Sequence, residues 1–560
     1  MAEAAPYVFK PHERPTLPGS PANPEHPAWR RRGYFAIGAL VGITGGLGNA
    51  LTLVNLNFAQ GSLGLYSDEA TWLTAAYFMT NVPSNLLLVK YRQQFGLQPF
   101  IRWMLAAYAL ATLLHLFAHD FWSAVAVRAV SGVAASGLST LTILYFMQSM
   151  PAPKRLAGAM IGICVPQLAS PLARALSPHL LEWGNWHMLY WFELGLALAT
   201  LAAVMALPLP PSERDKVFEP LDLLTFALFA PGTALLIAVL SEGRIEWWTE
   251  RPWLGIALAA SVVLIGAALL IEHLRRNPLI NTRWLGTREL LRLILIATAI
   301  RVLLSEQAFG SIGLLTVVGM NNDEMVTLNF IIVLASLAGL ATAVVTFRPE
   351  QLSTPITVAV VLIAVGAFMD ASATNLSRPE NFYFSQALIG FASLLFLAQA
   401  MVIGIARTLL AGPKHFISFV VIFSMSQSIG GLAGGALLGT FQTAREKYHS
   451  HELVQSIVMT DPLIAARMRA SAGVLAPTQG DAAYRSAEGG ALVAQQVARE
   501  ANILAFNDVF MLVGMLAVLT SLWGIGIRIS IWRRHETSPV ILLQQRMAQA
   551  AAAAANQSTP

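Results

Sequence analysis

Residues 253–271 read WLGIALAASVVLIGAALLI, nineteen residues without an ionisable side chain, and Glu272, Arg275 and Arg276 follow at once. As a helix this stretch would run just under about 30 Å, the thickness of a bilayer's hydrocarbon core. A helix on a soluble core shows one apolar stripe, whereas this one is apolar on every side, so it is predicted to lie in lipid. The pattern recurs in both directions. Earlier runs are predicted at 33–54, 70–89, 100–117, 121–147, 156–178, 186–207 and 221–241. Later ones fall at 289–316, 324–346, 354–373, 382–407, 413–440 and 504–528, which makes fourteen. Pro166, Pro171 and Pro178 interrupt the fifth run, and a bundle tolerates this because neighbouring helices satisfy the freed carbonyls.

Composition agrees. The chain has 560 residues, 55% hydrophobic and only 12% charged, with a mean hydropathy of +0.58. Soluble chains carry roughly 25% charged residues. Cys164 is the one cysteine, which excludes an intramolecular disulfide and a Cys-rich metal site. His449 and His451 lack companion ligands, so no metal is expected, and no cofactor. There is no phosphate-binding G-x-x-x-x-G-K-[ST] loop and no nucleophile elbow, so the chain is not expected to be an enzyme, and an ion gradient is the remaining energy source.

The net charge of +5 reports topology. Arg30 to Arg32, Lys90 and Arg92, Lys154 and Arg155, Arg214 and Lys216, Arg275, Arg276, Arg283, Arg288, Arg348, Lys414, Arg533 and Arg534 fall on one side. The short loops opposite hold only Arg244, Arg251 and Arg378. By the positive-inside rule both termini are cytoplasmic, which needs an even number of spans. A nucleic-acid role is excluded by the same pattern. Residues 1–32, rich in proline, are expected to be a disordered cytoplasmic tail without a cleavable signal peptide, and 529–560 its counterpart. Between them come a six-helix half (33–207), a linker pair of helices with their cytoplasmic loops (208–288) and a second six-helix half (289–528). The second half contains an external segment, 441–503, that reads as amphipathic helix from Arg445 to Leu453 and from Ala491 to Leu504. It is expected to be a docking surface.

Several stretches resemble the fourteen-span drug:proton antiporters of the major facilitator superfamily, over about residues 35 to 528. Arg128-Ala-Val-Ser-Gly132 resembles the family's R-x-x-Q-G signature, with Ser131 in place of Gln. Pro153-Lys154-Arg155 resembles the turn that follows. The run from Trp183 through Trp186 to Glu193 is similar to the family's entry into span 6. Glu219-Pro-Leu-Asp222 and Glu272-His-Leu-Arg-Arg-Asn277-Pro278 match landmarks around the two extra central helices, and Ala501 to Phe510 resembles the entry into the last span. The sequence also departs from that pattern. Lys90-Tyr-Arg92-Gln-Gln-Phe95-Gly96 keeps only basic charge and a glycine from the family's loop after span 2. Asn49 and Asn55 stand near the acid usual in span 1, and Ala169-Ser-Pro171 is a reduced span 5 signature. The resemblance implies an all-α major facilitator fold with fourteen transmembrane helices.

Ions inside a bilayer are costly and are functional candidates by default. Arg128, with Gly132 and Ser136 at helical spacing, is predicted to be an interior cation that tunes a carboxylate or holds an anionic substrate group; the alternative is an arginine bound to backbone carbonyls. Glu193 is either a cavity-facing proton carrier or an interfacial glutamate in a belt formed by Trp183, Trp186 and Trp191. In span 9, Arg301 and Glu306 lie about 140° apart around the helix, so each is predicted to pair across to another helix. With Gln307 they are candidates for substrate selection, as are Arg174, Asn49 and Asn55; Glu306 joins Glu193 and Arg128 as a proton-coupling candidate. Gly430, Gly431, Gly434 and Gly435 in span 13 are predicted to allow close packing and rocking of the halves. Asp68-Glu69 and Asp323-Glu324 are expected to start helices.

The expected function is proton-coupled export of amphipathic or aromatic small molecules across a bacterial inner membrane, by alternating access around a midplane cavity. The resemblance implies a periplasmic membrane-fusion adaptor and an outer-membrane channel as possible partners. Two rival readings stay open: an importer or facilitator of an organic anion, and a non-transporting membrane sensor or assembly partner.

Overall fold

Within lipid every backbone N–H and C=O must be satisfied by the protein itself, and these apolar runs accordingly form helices. The computed structural model describes residues 13, 15, 19–182, 186–412, 415–458, 460–474, 480–535 and 537–557. Among them one long helix falls at each of the fourteen expected spans. The first eight are α1 (Ala28–Val54), α2 (Ser67–Phe95), α3 (Leu97–His115), α4 (Phe121–Ser149), α5 (Arg155–Glu182), α6 (His187–Ala206), α7 (Pro220–Glu242) and α8 (Pro252–Leu274). The remaining six are α9 (Arg288–Val317), α10 (Val326–Val345), α11 (Ser353–Asp370), α12 (Tyr383–Ala411), α13 (Phe416–Gln455) and α14 (Ala482–Arg533). Thirteen of these are apolar enough to cross a membrane by composition. The fourteenth, α2, carries Thr80, Asn81, Ser84 and Asn85 along its middle. Thr80 and Asn81 donate to Ala129 O and Gly132 O of α4 (2.7 and 3.0 Å), and Ser84 and Asn85 to carbonyls of α2 itself. These four side chains are therefore satisfied by protein.

Helices α1 to α6 form one bundle and α9 to α14 another. The bundles meet where α2 packs on α13 and where α5 packs on α10 and α12. The extra pair, α7 and α8, lies outside this seam, with α7 against α2. Ile256, Val262, Val263, Leu270 and Leu274 of α8 are exposed, as suits a peripheral helix whose solvent is lipid. Helix α5 breaks into two α-helical pieces around a 3₁₀ turn at Val165–Leu168, because Pro166 cannot donate a backbone bond. Helix starts follow the acidic pairs: Glu69 accepts from Tyr66 N (2.9 Å) and Glu324 from Asn321 N (2.7 Å).

The landmarks that bracket the linker pair form one charge network, buried except for Glu219 at its edge. Lys90 at the end of α2 meets Asp222 (2.6 Å), and Arg275 meets Glu219, Asp222 and Glu272 (2.8, 2.9 and 2.7 Å). Glu272 also accepts from Thr225 (2.5 Å) and from the backbone N–H groups of Leu279 and Ile280. Burial disfavours the Arg275 cation, but its three carboxylates win and hold the guanidinium above its ordinary value. The hydrogen bond from Arg275 lowers the Glu219 carboxyl in turn. The loop after span 2, so far from the family pattern in sequence, thereby ties α2 to the linker helices.

Two expectations need correction. The first helix starts at Ala28 rather than after residue 32, and Ser20 to Asn23 are buried rather than loose. Ala22 bonds Pro211 O through its N–H (2.8 Å) and Gln148 through its own carbonyl (2.9 Å). The Ala-rich stretch near 549–555 belongs to a helix, Pro539–Gln557, as alanine's helix propensity favours. In segment 441–503 the stretches 445–453 and 491–504 are helical as expected, and the helices extend further: α13 runs on to Gln455, a helix at Pro462–Val474 follows, and α14 starts at Ala482. Nothing between Gly439 and Gln455 breaks a helix, so α13 continues out of the bilayer region. Trp183 and Lys414 lie outside the described residues.

Candidate functional site

In the first bundle Arg128 is buried, its guanidinium 4.8 Å from the Tyr77 ring centroid. It donates to Leu73 O (3.2 Å), Gly48 O (3.1 Å), Thr52 Oγ1 (3.3 Å) and Asn49 Oδ1 (2.5 Å). These are four neutral acceptors, so Arg128 pins α1 and α2 to α4 and forms no ion pair with Glu193 among the described residues. Glu193, only 2% exposed, lies inside the first bundle. Its Oε1 accepts from Tyr108 (2.9 Å) and Thr112 (3.4 Å), while Oε2 is buried without a hydrogen bond among the described residues. Gly48 makes this possible, since a Cβ there would stand 2.0 Å from the Tyr108 hydroxyl and 2.5 Å from Glu193 Oε1. Gly132 likewise admits α2, with Tyr77 O at 2.3 Å from its notional Cβ. Asn55 faces elsewhere and donates to Ser177 (2.6 Å) of α5.

The second bundle holds two carboxyls on one amide. Gln386 Nε2 donates to Glu306 Oε1 (3.0 Å) and to Asp370 Oδ2 (2.7 Å). All three residues are buried, and Glu306 Oε2 has no hydrogen bond among the described residues. Gln307 fixes the amide's orientation by donating to Gln386 Oε1 (3.2 Å). Here α9 departs from α-helix: Glu306–Ser311 is a π-helical turn, the kind of irregularity often found at functional sites. Glu306 thus pairs across to α12, as the sequence predicts, and Arg301 pairs across to α13, donating to Gln427 O (3.2 Å).

Between the bundles lies a cavity of about 120 Å³. Arg174 and Gln167 of α5 line one wall, and Arg301, Gln307, Asn329 and Gln427 the other. The structure therefore gathers Arg174, Arg301 and Gln307 at one place, and leaves Arg128, Glu193 and Asn49 in a separate pocket of the first bundle. Of the four span 13 glycines, Gly430, Gly431 and Gly434 let α13 touch Arg301 and Ser305 of α9, whereas Gly435 faces open space.

A sequence model of the Major Facilitator Superfamily matches residues 38–435. The chain belongs to the major facilitator superfamily. Among curated relatives of this chain, the multidrug export protein EmrB of Haemophilus influenzae is 20% identical over 498 residues, 85% of this chain and 92% of that protein. The multidrug transporter mfsC of Aspergillus fumigatus is 27% identical over 227 residues, and there the match covers 40% of this chain and 43% of the relative. The first relatives are thus matched over about two-fifths of their length. Among solved structures, the human organic anion transporter MFSD10 superposes with a TM-score of 0.52 at 14% identity, covering 88% of this chain and all of that one. Tetrameric PepTSo2 superposes with 0.54 at 12%, covering 90% and 99%. At such identities these two speak for the fold alone.

Asp370 and Gln386 are the members of the carboxyl site that the sequence reading passes over. Asp370 closes an apolar run, where an acid reads as an interfacial residue.

Proposed function

We propose that this transporter exports amphipathic or aromatic small molecules across the bacterial inner membrane in exchange for protons, with both termini in the cytoplasm. The observation that carries the coupling is the Gln386 amide shared by Glu306 and Asp370. The two accepting oxygens lie no farther apart than the sum of their distances to that nitrogen. Two negative charges at that range repel by about 3 kcal/mol at an effective dielectric constant near 20. A pair carrying one proton relieves this repulsion, and losing or gaining that proton changes what Gln386 can donate to. Gln307 connects the same amide to the central cavity. Cavity occupancy and protonation thus act on one side chain. The named multidrug exporters among its relatives support the direction of transport. The helical extension formed by the outer ends of α13 and α14 is the proposed surface for a periplasmic adaptor that leads to an outer-membrane channel.

The test uses purified protein in proteoliposomes with an internal pH-sensitive dye. Adding transported compound should move protons in the wild type and not in Glu306→Gln or Asp370→Asn. If Glu193→Gln alone abolishes the proton movement, the coupling site lies in the first bundle instead. Substrate flux without proton movement in the wild type would favour facilitated passage.

A further inference from the structure

The geometry points to an amphipathic organic anion as the cargo, its carboxylate or sulfonate head held between Arg174 of α5 and Arg301 of α9. This names the substrate class of the transport reading above and rests on it. Each bundle contributes one guanidinium to the central cavity, and no acidic residue lines that cavity among the described residues. Arg301 uses only Nε, toward Gln427 O, and its two terminal nitrogens donate to nothing among the described residues. Arg174 makes a single long contact, Nη1 to Asn322 Oδ1 at 3.4 Å. Neither arginine has an ion-pair partner among the described residues, unlike Arg275, which has three carboxylates.

Two uncompensated cations inside a membrane bundle are expensive, and an anion between them offsets the cost for both. A cation would be repelled twice. Guanidinium also matches a carboxylate or sulfonate in shape, through paired N–H donors. The remaining polar lining can add neutral donors, from Gln167, Gln307 and Asn329. The other walls are apolar: Leu304, Ile312, Ile332, Leu394, Phe396 and Leu397. Such a site suits an ionic head attached to a greasy body. Its volume, about 120 Å³, is below the roughly 300 Å³ at which drug-sized pockets begin. This conformation therefore fits the head, and the body needs the space that opens when the bundles move apart. Since the arginines come from opposite bundles, a bound anion also draws α5 and α9 together, which links occupancy to closure of the seam.

The experiment measures binding to full-length protein in lipid nanodiscs by titration calorimetry. The probes are decanoate and 1-naphthoate, with decylammonium and decanol as the matched cation and neutral compound. Carboxylates should bind in preference to both controls, and the better of the two tells whether an aliphatic or an aromatic body is accepted. Arg174→Gln and Arg301→Gln should each weaken the carboxylate by about tenfold or more, the loss of a charge-assisted contact, and Arg301→Lys should recover part of it. Decylammonium binding as tightly as decanoate overturns the assignment, as does carboxylate affinity unchanged in both glutamine variants. If the variants do not fold, the charge series on the wild type still decides. A pH-dye flux assay with decanesulfonate, a strong acid that cannot carry protons across lipid by itself, separates this inference from the coupling. Flux of the sulfonate without proton movement keeps the anionic cargo and removes the antiport. Proton movement evoked by decylammonium and not by decanesulfonate does the reverse.

Discussion

Replacing Gly48 by alanine should damage the first bundle out of proportion to one methyl group. Alanine normally stabilises a helix relative to glycine, by about 0.8–1 kcal/mol. Here the added Cβ would lie 2.0 Å from the Tyr108 hydroxyl and 2.5 Å from Glu193 Oε1. An ordinary contact needs roughly 3.4 Å or more, so the hydroxyl must retreat by over an ångström. That hydroxyl has one proton and two acceptors in reach, Thr44 O (3.0 Å) and Glu193 Oε1 (2.9 Å), and such a move breaks its donated bond. Gly48 O also receives Arg128 (3.1 Å), so the strain reaches the guanidinium. Losing that bond in a buried site costs about 1–3 kcal/mol and the overpacking about 1–3 kcal/mol more, so after alanine's gain of about 1 kcal/mol the net destabilisation should be about 1–5 kcal/mol. Gly195→Ala on α6 is the control, because nothing lies within 4 Å of a Cβ there. Thermal unfolding of the detergent-purified protein, followed by intrinsic fluorescence, should show a clear drop for Gly48→Ala and none for Gly195→Ala. Equal melting of the two variants would refute the reasoning.

Lys90→Met should cost about 3–5 kcal/mol, because it leaves buried Asp222 short of one of its two cations; urea titration of the purified protein measures it, and a loss below about 1 kcal/mol would contradict the buried network. The Glu219 carboxyl is held below its ordinary value of 4.5, first by the Arg275 hydrogen bond. The sign follows: the stabilisation it provides is present above that ordinary value and is lost as pH falls through the lowered one. An acid melt should therefore show a component near and below pH 4.5 that Arg275→Gln removes. Gly434→Leu should abolish the approach of α13 to Ser305, where the notional Cβ is already 2.2 Å from Oγ, and lower transport, whereas Gly435→Leu should leave it near the wild type; equal effects on flux would show that α13 does not pack through that face.

The spans were legible because hydrocarbon thickness sets a length and charge sets a direction. Helix α2 shows how far this goes: its polar middle weakens the apolar signal, yet the alternation of basic loops still demands a span at that position. Charged landmarks were legible as landmarks only. That Glu219, Asp222 and Glu272 share Arg275 and Lys90 depends on helix α7 lying against α2, which no local pattern encodes. The same holds for the carboxyl site. Glu306 stands out in span 9, but Asp370 gains its meaning only when α11 and α12 bring it and Gln386 to that helix. Arg128 carried two readings in the sequence, and its four neutral acceptors describe a helix clamp. Beyond the apolar runs, the helical ends of α13 and α14 were legible from their amphipathic pattern at 445–453 and 491–504, but the pattern did not show that each is continuous with its span.

The most direct measurement is uphill accumulation of an amphipathic substrate in inverted membrane vesicles, driven by an imposed inside-acid pH gradient alone. The predicted result is accumulation above the external concentration, collapsed by a proton ionophore and absent in Glu306→Gln and Asp370→Asn. Substrate that merely equilibrates, at the same rate with or without the gradient and in both variants, would contradict proton-coupled export.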